Sequence, residues 1–231
     1  MKRFTKGALV ALFALSAGFS GCGGDKGTGG IVGDAPPSPG TGTGTILADV
    51  RVSGNEETPG SFGTDFVADL QDSLNAPINN ATVYLTHRTL GRIDLPLDTI
   101  AGRYRTTRNS YVSGSYTLTI TRGTESITGA TVTAPVIHTP TYPTLADTVP
   151  QGAFTALWTR TVKADTAEVE TKDFPPALTS DDGDFTVPTN QPKPDQMVRI
   201  RRSNTINLAG GRPGSTLVGR FTTKREPVVV Q

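Results

Sequence analysis

Four groups of side chains in this sequence have chemistry to offer. They are the single cysteine Cys22, the histidines His87 and His138, the acidic cluster Asp181-Asp182-Gly183-Asp184, and the glutamates Glu56, Glu57, Glu168 and Glu170. Cys22 has no second thiol with which to form a disulfide, and a leftover thiol in an exported chain is a reactive liability. The two histidines are far apart, and neither has a ligand-type neighbour at metal-binding spacing, so a structural zinc site has nothing to build from. His87 is expected as an exposed strand end after Val83 to Thr86, and His138 as part of an extended linker.

The carboxylates of Asp181, Asp182 and Asp184 are calcium candidates, since that ion takes about six to eight oxygen ligands. The later ligands and closing glutamate of an EF-hand loop are missing, and the other reading is an Asp-Gly turn that introduces the strand Phe185-Thr186-Val187. A carboxylate pair for glycoside hydrolysis would have to come from the glutamates. Glu168 and Glu170 share one strand face, however, and read as solvent-facing positions around Val169. No Gly-x-Ser-x-Gly elbow precedes a helix that would present a nucleophile. No catalytic residue, cofactor or metal is therefore assigned, and an enzyme is the least supported class.

Lys2, Arg3 and Lys6 precede an apolar run from Gly7 to Gly21 that ends at Cys22. A membrane span needs roughly 20 predominantly apolar residues. This run is diluted by Gly7, Ser16, Gly18 and Ser20, and it reads as a cleaved export signal over residues 1–21. Ser20-Gly21-Cys22 resembles the bacterial lipobox, with Phe19 where an aliphatic residue is usual. The resemblance implies cleavage before Cys22, acylation of its thiol, and a membrane anchor through the attached lipid. An ordinary secretory signal cut at Ala17 or Ser20 is the other reading. Gly23 and Gly24 lack the aspartate that, by resemblance to enterobacterial sorting, retains lipoproteins at the inner membrane, so the outer membrane is expected.

Residues 22–45 carry the lipidated cysteine and a tether rich in Gly and Pro that can bury nothing. Its root-mean-square reach is about 25 Å, and roughly 75 Å when taut. Removing the three leader charges takes the formal charge from +1 to −2, with both signs interspersed, so no nucleic-acid footprint is expected. The densest basic spot is Arg199, Arg201 and Arg202. It reads as solvated strand residues flanking buried Val198 and Ile200, or as a contact for an anionic glycan or lipid headgroup.

Thr and Val dominate the remainder, and no segment carries a sustained helical period, so the fold class is all-β. The first module is expected over residues 46–135. Phe66, Ala68 and Leu70 alternate with polar neighbours, Ala81, Val83 and Leu85 should face inward, and Tyr116, Leu118 and Ile120 share a face opposite Thr117, Thr119 and Thr121. Asp72, Ala76-Pro77-Ile78-Asn79-Asn80-Ala81-Thr82-Val83, Gly102-x-Tyr104-x-Thr106 and Gly114-Ser115-Tyr116-x-Leu118-x-Ile120 resemble the prealbumin-like or carboxypeptidase-regulatory-like domain. That resemblance implies an immunoglobulin-like sandwich and says little of activity. The Lys-to-Asn staple of related adhesin domains is ruled out for this module, because no lysine lies between Lys26 and Lys163.

A Pro-rich linker over residues 136–142 leads to a second module over residues 143–231. There Phe154, Ala156 and Trp158 share a face, Ala164 to Glu170 follows, and Met197 to Leu208 pairs with Thr216 to Val230 around the hairpin Gly210 to Gly214. Trp158 ending a strand resembles the core tryptophan of a fibronectin type III domain. The expected architecture is two tandem immunoglobulin-like β-sandwiches, with one composite sandwich as the alternative. Such a chain would act by contact with a protein or glycan partner. The alternative is a structural subunit of an envelope assembly that pairs through Pro227-Val228-Val229-Val230-Gln231.

Overall fold

The computed structural model describes residues 44–145, 147–189 and 196–230. Cys22 and nearly all of the tether lie outside them. Alternating burial builds the chain into strands, and no helix occurs among the described residues. The first part supplies β1 (Leu47–Thr58), β2 (Ser61–Gln71), β3 (Thr82–His87), β4 (Gly91–Asp94), β5 (Leu97–Asp98), β6 (Arg103–Arg108), β7 (Gly114–Arg122) and β8 (Glu125–Ala134). The second supplies β9 (Pro140–Tyr142), β10 (Thr148–Val149), β11 (Phe154–Trp158), β12 (Thr166–Thr171), β13 (Ala177–Thr179) and β14 (Asp184–Val187). The C-terminal hairpin is β15 (Gln196–Asn207) and β16 (Thr216–Val230).

Three sheets make two layered sandwiches. One long sheet runs β13-β12-β15-β16-β1-β2-β6-β5, with β10 on the far end of β16, and it faces the sheets β4-β3-β7-β8 and β14-β11-β9. The inward rows match the period-two reading. Phe66 and Ala68 on β2, Leu85 on β3, and Tyr116, Leu118 and Ile120 on β7 are all fully buried in the first core. Phe154, Ala156 and Trp158 line the second core with Val169, Val198 and Ile200.

The join between the sandwiches departs from the sequence reading. β16 runs parallel to β1 from Asp49 opposite Thr216 to Glu56 opposite Thr223, and pairs antiparallel with β15 along its other edge. Leu208, Leu217 and Phe221 consequently sit in the first core, although they fall within the expected second module. β15 divides its apolar residues the same way, giving Val198 and Ile200 to the second core while Ile206 packs on the first. The reason is length. At about 3.3 Å per residue these two strands are too long for one small sandwich to cover, so they bury their two halves in different cores.

The C-terminal segment is also committed. Val228 pairs with Gln196, and Val229 and Val230 pair with Thr148 and Val149 of β10. Each of Val228 to Val230 is thus paired within the chain along one edge, with β15 for Val228 and with β10 for Val229 and Val230. Pro140 to Tyr142 of the expected linker is an edge strand against β11.

Candidate functional site

The acidic cluster divides rather than converging. Asp181 is fully buried. Its Oδ1 accepts from Trp158 Nε1 at 2.9 Å, and its Oδ2 accepts from the Ala164 amide at 2.8 Å and from Arg202 Nε and Nη2 at 2.9 and 2.6 Å. Burial alone would raise the Asp181 pKa, but the donors of Arg202, Ala164 and Trp158 outweigh it and hold the carboxyl below its usual range. Asp182 points to solvent, where Ser180 and Lys163 donate to it, and Asp184 opens β14 in an exposed position. Among the described residues, no three His, Cys, Asp or Glu side chains are grouped to hold a metal ion.

Arg202 is the buried partner, and here the expectation of a solvated arginine fails. It lies on β15 at the same parity as Val198 and Ile200, and is 0% exposed. Beyond Asp181 it donates Nη1 to the Val136 carbonyl at 3.1 Å and Nη2 to the Val162 carbonyl. These bonds tie the inter-module segment, the β11–β12 connection and the β13–β14 turn to one guanidinium. Such complete pairing is what makes a buried charge tolerable. Arg199 and Arg201 point the other way and pair across the ladder with Glu170 at 2.6 Å and Glu168 at 2.5 Å.

Both histidines are buried, His87 contrary to its expected exposure. His87 packs its ring on Tyr116, with centroids 4.5 Å apart. Its Nδ1 accepts from the amides of Thr89 and Leu90, so Nε2 carries the proton toward the Ser113 carbonyl at 3.3 Å. His138 is 1% exposed and lies beside Arg202 and Phe221, with Nε2 2.6 Å from the Thr223 hydroxyl. Burial, and after it the charge of Arg202, push its pKa down to about 3, so it is neutral. A buried Arg225–Glu56 pair at 2.7 Å completes a polar seam where the strands pass from one core to the next.

On the solvent side, the long sheet carries a charged lattice. Arg51 pairs with Asp69 at 2.5 Å, Arg105 with Asp98 at 2.7 Å, and Arg103 with Asp69 at 3.2 Å. With the Arg–Glu pairs of β12 and β15, this surface extends over strands of both sandwiches. Glu56 does not join it, because it is buried on Arg225. The side chain of Glu57 is outside the described set.

No family model matches this chain, and no curated protein sequence matches it. Among solved structures it is similar to the Yersinia pseudotuberculosis adhesin InvE, at 18% identity over 80% of this chain and 61% of that one, with a TM-score of 0.27. A two-domain fibronectin type III segment of chicken tenascin aligns at 15% identity over 76% of this chain and 98% of its own, TM-score 0.23. The N-terminal four Ig domains of Dscam1 isoform 1.9 align at 12% identity over 82% and 47%, TM-score 0.23. The chain thus spans about three fifths of the length of the adhesin structure it matches. At these scores no functional argument rests on the similarities, and the two-sandwich fold stands on the strand pairing itself.

Proposed function

We propose that this chain is an envelope lipoprotein, acylated at Cys22 and held on the outer membrane, that acts by contact with a protein or glycan rather than by catalysis. The leader, its solitary cysteine and the glycine-rich tether support the anchor. The contact role is supported by the outer face of the long sheet, a charged surface formed by strands of both sandwiches. Exposed ion pairs of this kind contribute about 0–1 kcal/mol each, so they define a charge pattern more than they stabilise the fold.

Two measurements test the reading. Metabolic labelling with an alkyne fatty acid should mark the wild-type protein and place it in the outer-membrane fraction, while Cys22→Ala should be unlabelled and released; label persisting on the variant would remove the anchor. Crosslinking from probes placed on the β1, β2 and β16 outer positions in intact cells should give a discrete adduct. Crosslinks spread evenly over both sheets would argue against a dedicated contact face.

A further inference from the structure

The outer face holds one arginine whose charge is not matched. Among the described residues Arg220, on β16, has no carboxylate within ion-pair distance, whereas Arg51, Arg103, Arg105, Arg199 and Arg201 on the same face each have one. A single bond fixes its side chain, from Nε to the Ser53 hydroxyl at 2.8 Å. Arg51 and Arg201 flank it, and burial together with these two neighbours lowers its pKa. The guanidinium lines a cleft of about 240 Å³ with Ser53, Arg51, Arg105, Asn55 and Asp65.

The cleft is not uniformly basic. Ser53 is the ladder partner of both Arg220 and Asp65, which places Asp65 two strands from Arg220. Arg220 reaches over β1 to the Ser53 hydroxyl, and among the described residues it makes no ion pair with Asp65. Among the described residues Asp65 accepts from Asn55 alone, at 3.3 Å. A ligand that fits therefore brings one anionic group for Arg220 and hydroxyl donors for Asp65. A polyanion without hydroxyl groups fits poorly, because it has no donor to offer Asp65. The size of the cleft matches one sugar ring.

We propose that this cleft binds a carboxylate-bearing sugar residue of an acidic polysaccharide, with the carboxylate on Arg220 and ring hydroxyls on Asp65 and Asn55. The proposal rests on the contact reading above and names its ligand class. Arginine suits the role because its planar fork meets a carboxylate through two N–H groups.

The test is titration of the purified chain with a galacturonate oligomer at low salt, followed by calorimetry or amide shifts, with a neutral maltose oligomer, acetate and polyglutamate as comparison probes. Wild type is expected to bind galacturonate and not the maltose oligomer. Arg220→Gln should weaken binding by about tenfold or more, while Arg92→Gln, the same charge change on the opposite sheet, should leave it unchanged. Arg220→Lys keeps the charge and should fall between, which preserves the test if the glutamine variant folds poorly. Asp65→Asn should weaken galacturonate while tightening acetate.

Absence of wild-type binding at millimolar galacturonate, equal loss in Arg92→Gln, tighter galacturonate binding by Asp65→Asn, or equally tight polyglutamate binding would each overturn the assignment. Such a failure concerns the ligand class alone, since the contact reading is judged by crosslinking in cells.

Discussion

The two sandwiches solve the same packing problem with different materials. The first fills its interior with apolar groups, among them Val52, Phe66, Tyr116, Leu118 and Phe221, all fully buried. The second has a smaller apolar set around Trp158, Val169 and Ile200, and closes its side toward the first with the Arg202–Asp181 pair. A small core gains little from apolar burial, so the second sandwich depends on strands it shares with its neighbour and on a fully bonded charge pair. The first should respond to changes in volume, and the second to changes in charge.

The largest effect should come from dividing the chain. A fragment ending at residue 135 loses β16, and with it Leu217 and Phe221 from the first core and the ladder along β1. It should show no cooperative unfolding transition by circular dichroism; a stable, cooperative fragment would mean that the shared strands are dispensable.

Next in size is the seam. Arg202→Met leaves Asp181 buried and unpaired, and should cost about 3–5 kcal/mol in urea unfolding. Replacing Asp181 by Leu in the same chain should recover only part of that loss, because the buried Trp158 Nε1 and Ala164 amide would then lack their acceptor. Phe66→Ala in the first sandwich should also cost about 3–5 kcal/mol, through the cavity it opens, with little dependence on pH.

The pH response sharpens the contrast further. His138 has a folded pKa of about 3 against an ordinary value of 6.5, so the unfolded chain binds a proton that the folded chain refuses. Stability should be fully present above about pH 6.5 and fall by several kcal/mol as the pH drops toward 3. Asp181, whose folded pKa is lowered, contributes stability that is present above its unfolded value of about 3.9 and lost as the pH falls through its folded value. The window between about pH 6.5 and 4 is therefore expected to follow His138, and His138→Gln should flatten the urea midpoint there; an unchanged slope would remove His138 from the account.

A smaller effect is expected in the first core, where a Cβ at Gly54 would overlap the rings of Tyr111 and Phe221. Gly54→Ala should cost about 1–3 kcal/mol in thermal or urea unfolding. The smallest concerns the acidic turn. Asp182→Ala should leave the urea midpoint almost unchanged, and millimolar calcium should not move the wild-type melting temperature.

These contrasts also show why parts of the structure were legible in the sequence and others were not. Tyr116-x-Leu118-x-Ile120 announces its buried face by local alternation, and Trp158 marks a strand end in the same way. The pairing of β1 with β16 has no such mark, because the two strands lie at opposite ends of the described chain and no turn sets their register. Arg202 left one local clue, its parity with Val198 and Ile200, but its composition as an arginine outweighed that clue. The partner that makes its burial affordable, Asp181, sat in a cluster that resembled an ion-binding loop. The burial of His87 and His138 has no local mark for a related reason, since it comes from neighbours distant in sequence.

The shared strands can be tested directly by unfolding the whole chain in urea with two probes. Fluorescence of Trp158, the only tryptophan, reports on the second core, and hydrogen exchange at Leu85, Leu118 and Ile120 reports on the first. A single sheet joining both cores predicts superimposable transitions. Loss of the Trp158 signal at clearly lower urea than protection of the first core is lost would show that the sandwiches unfold independently, and would contradict the account.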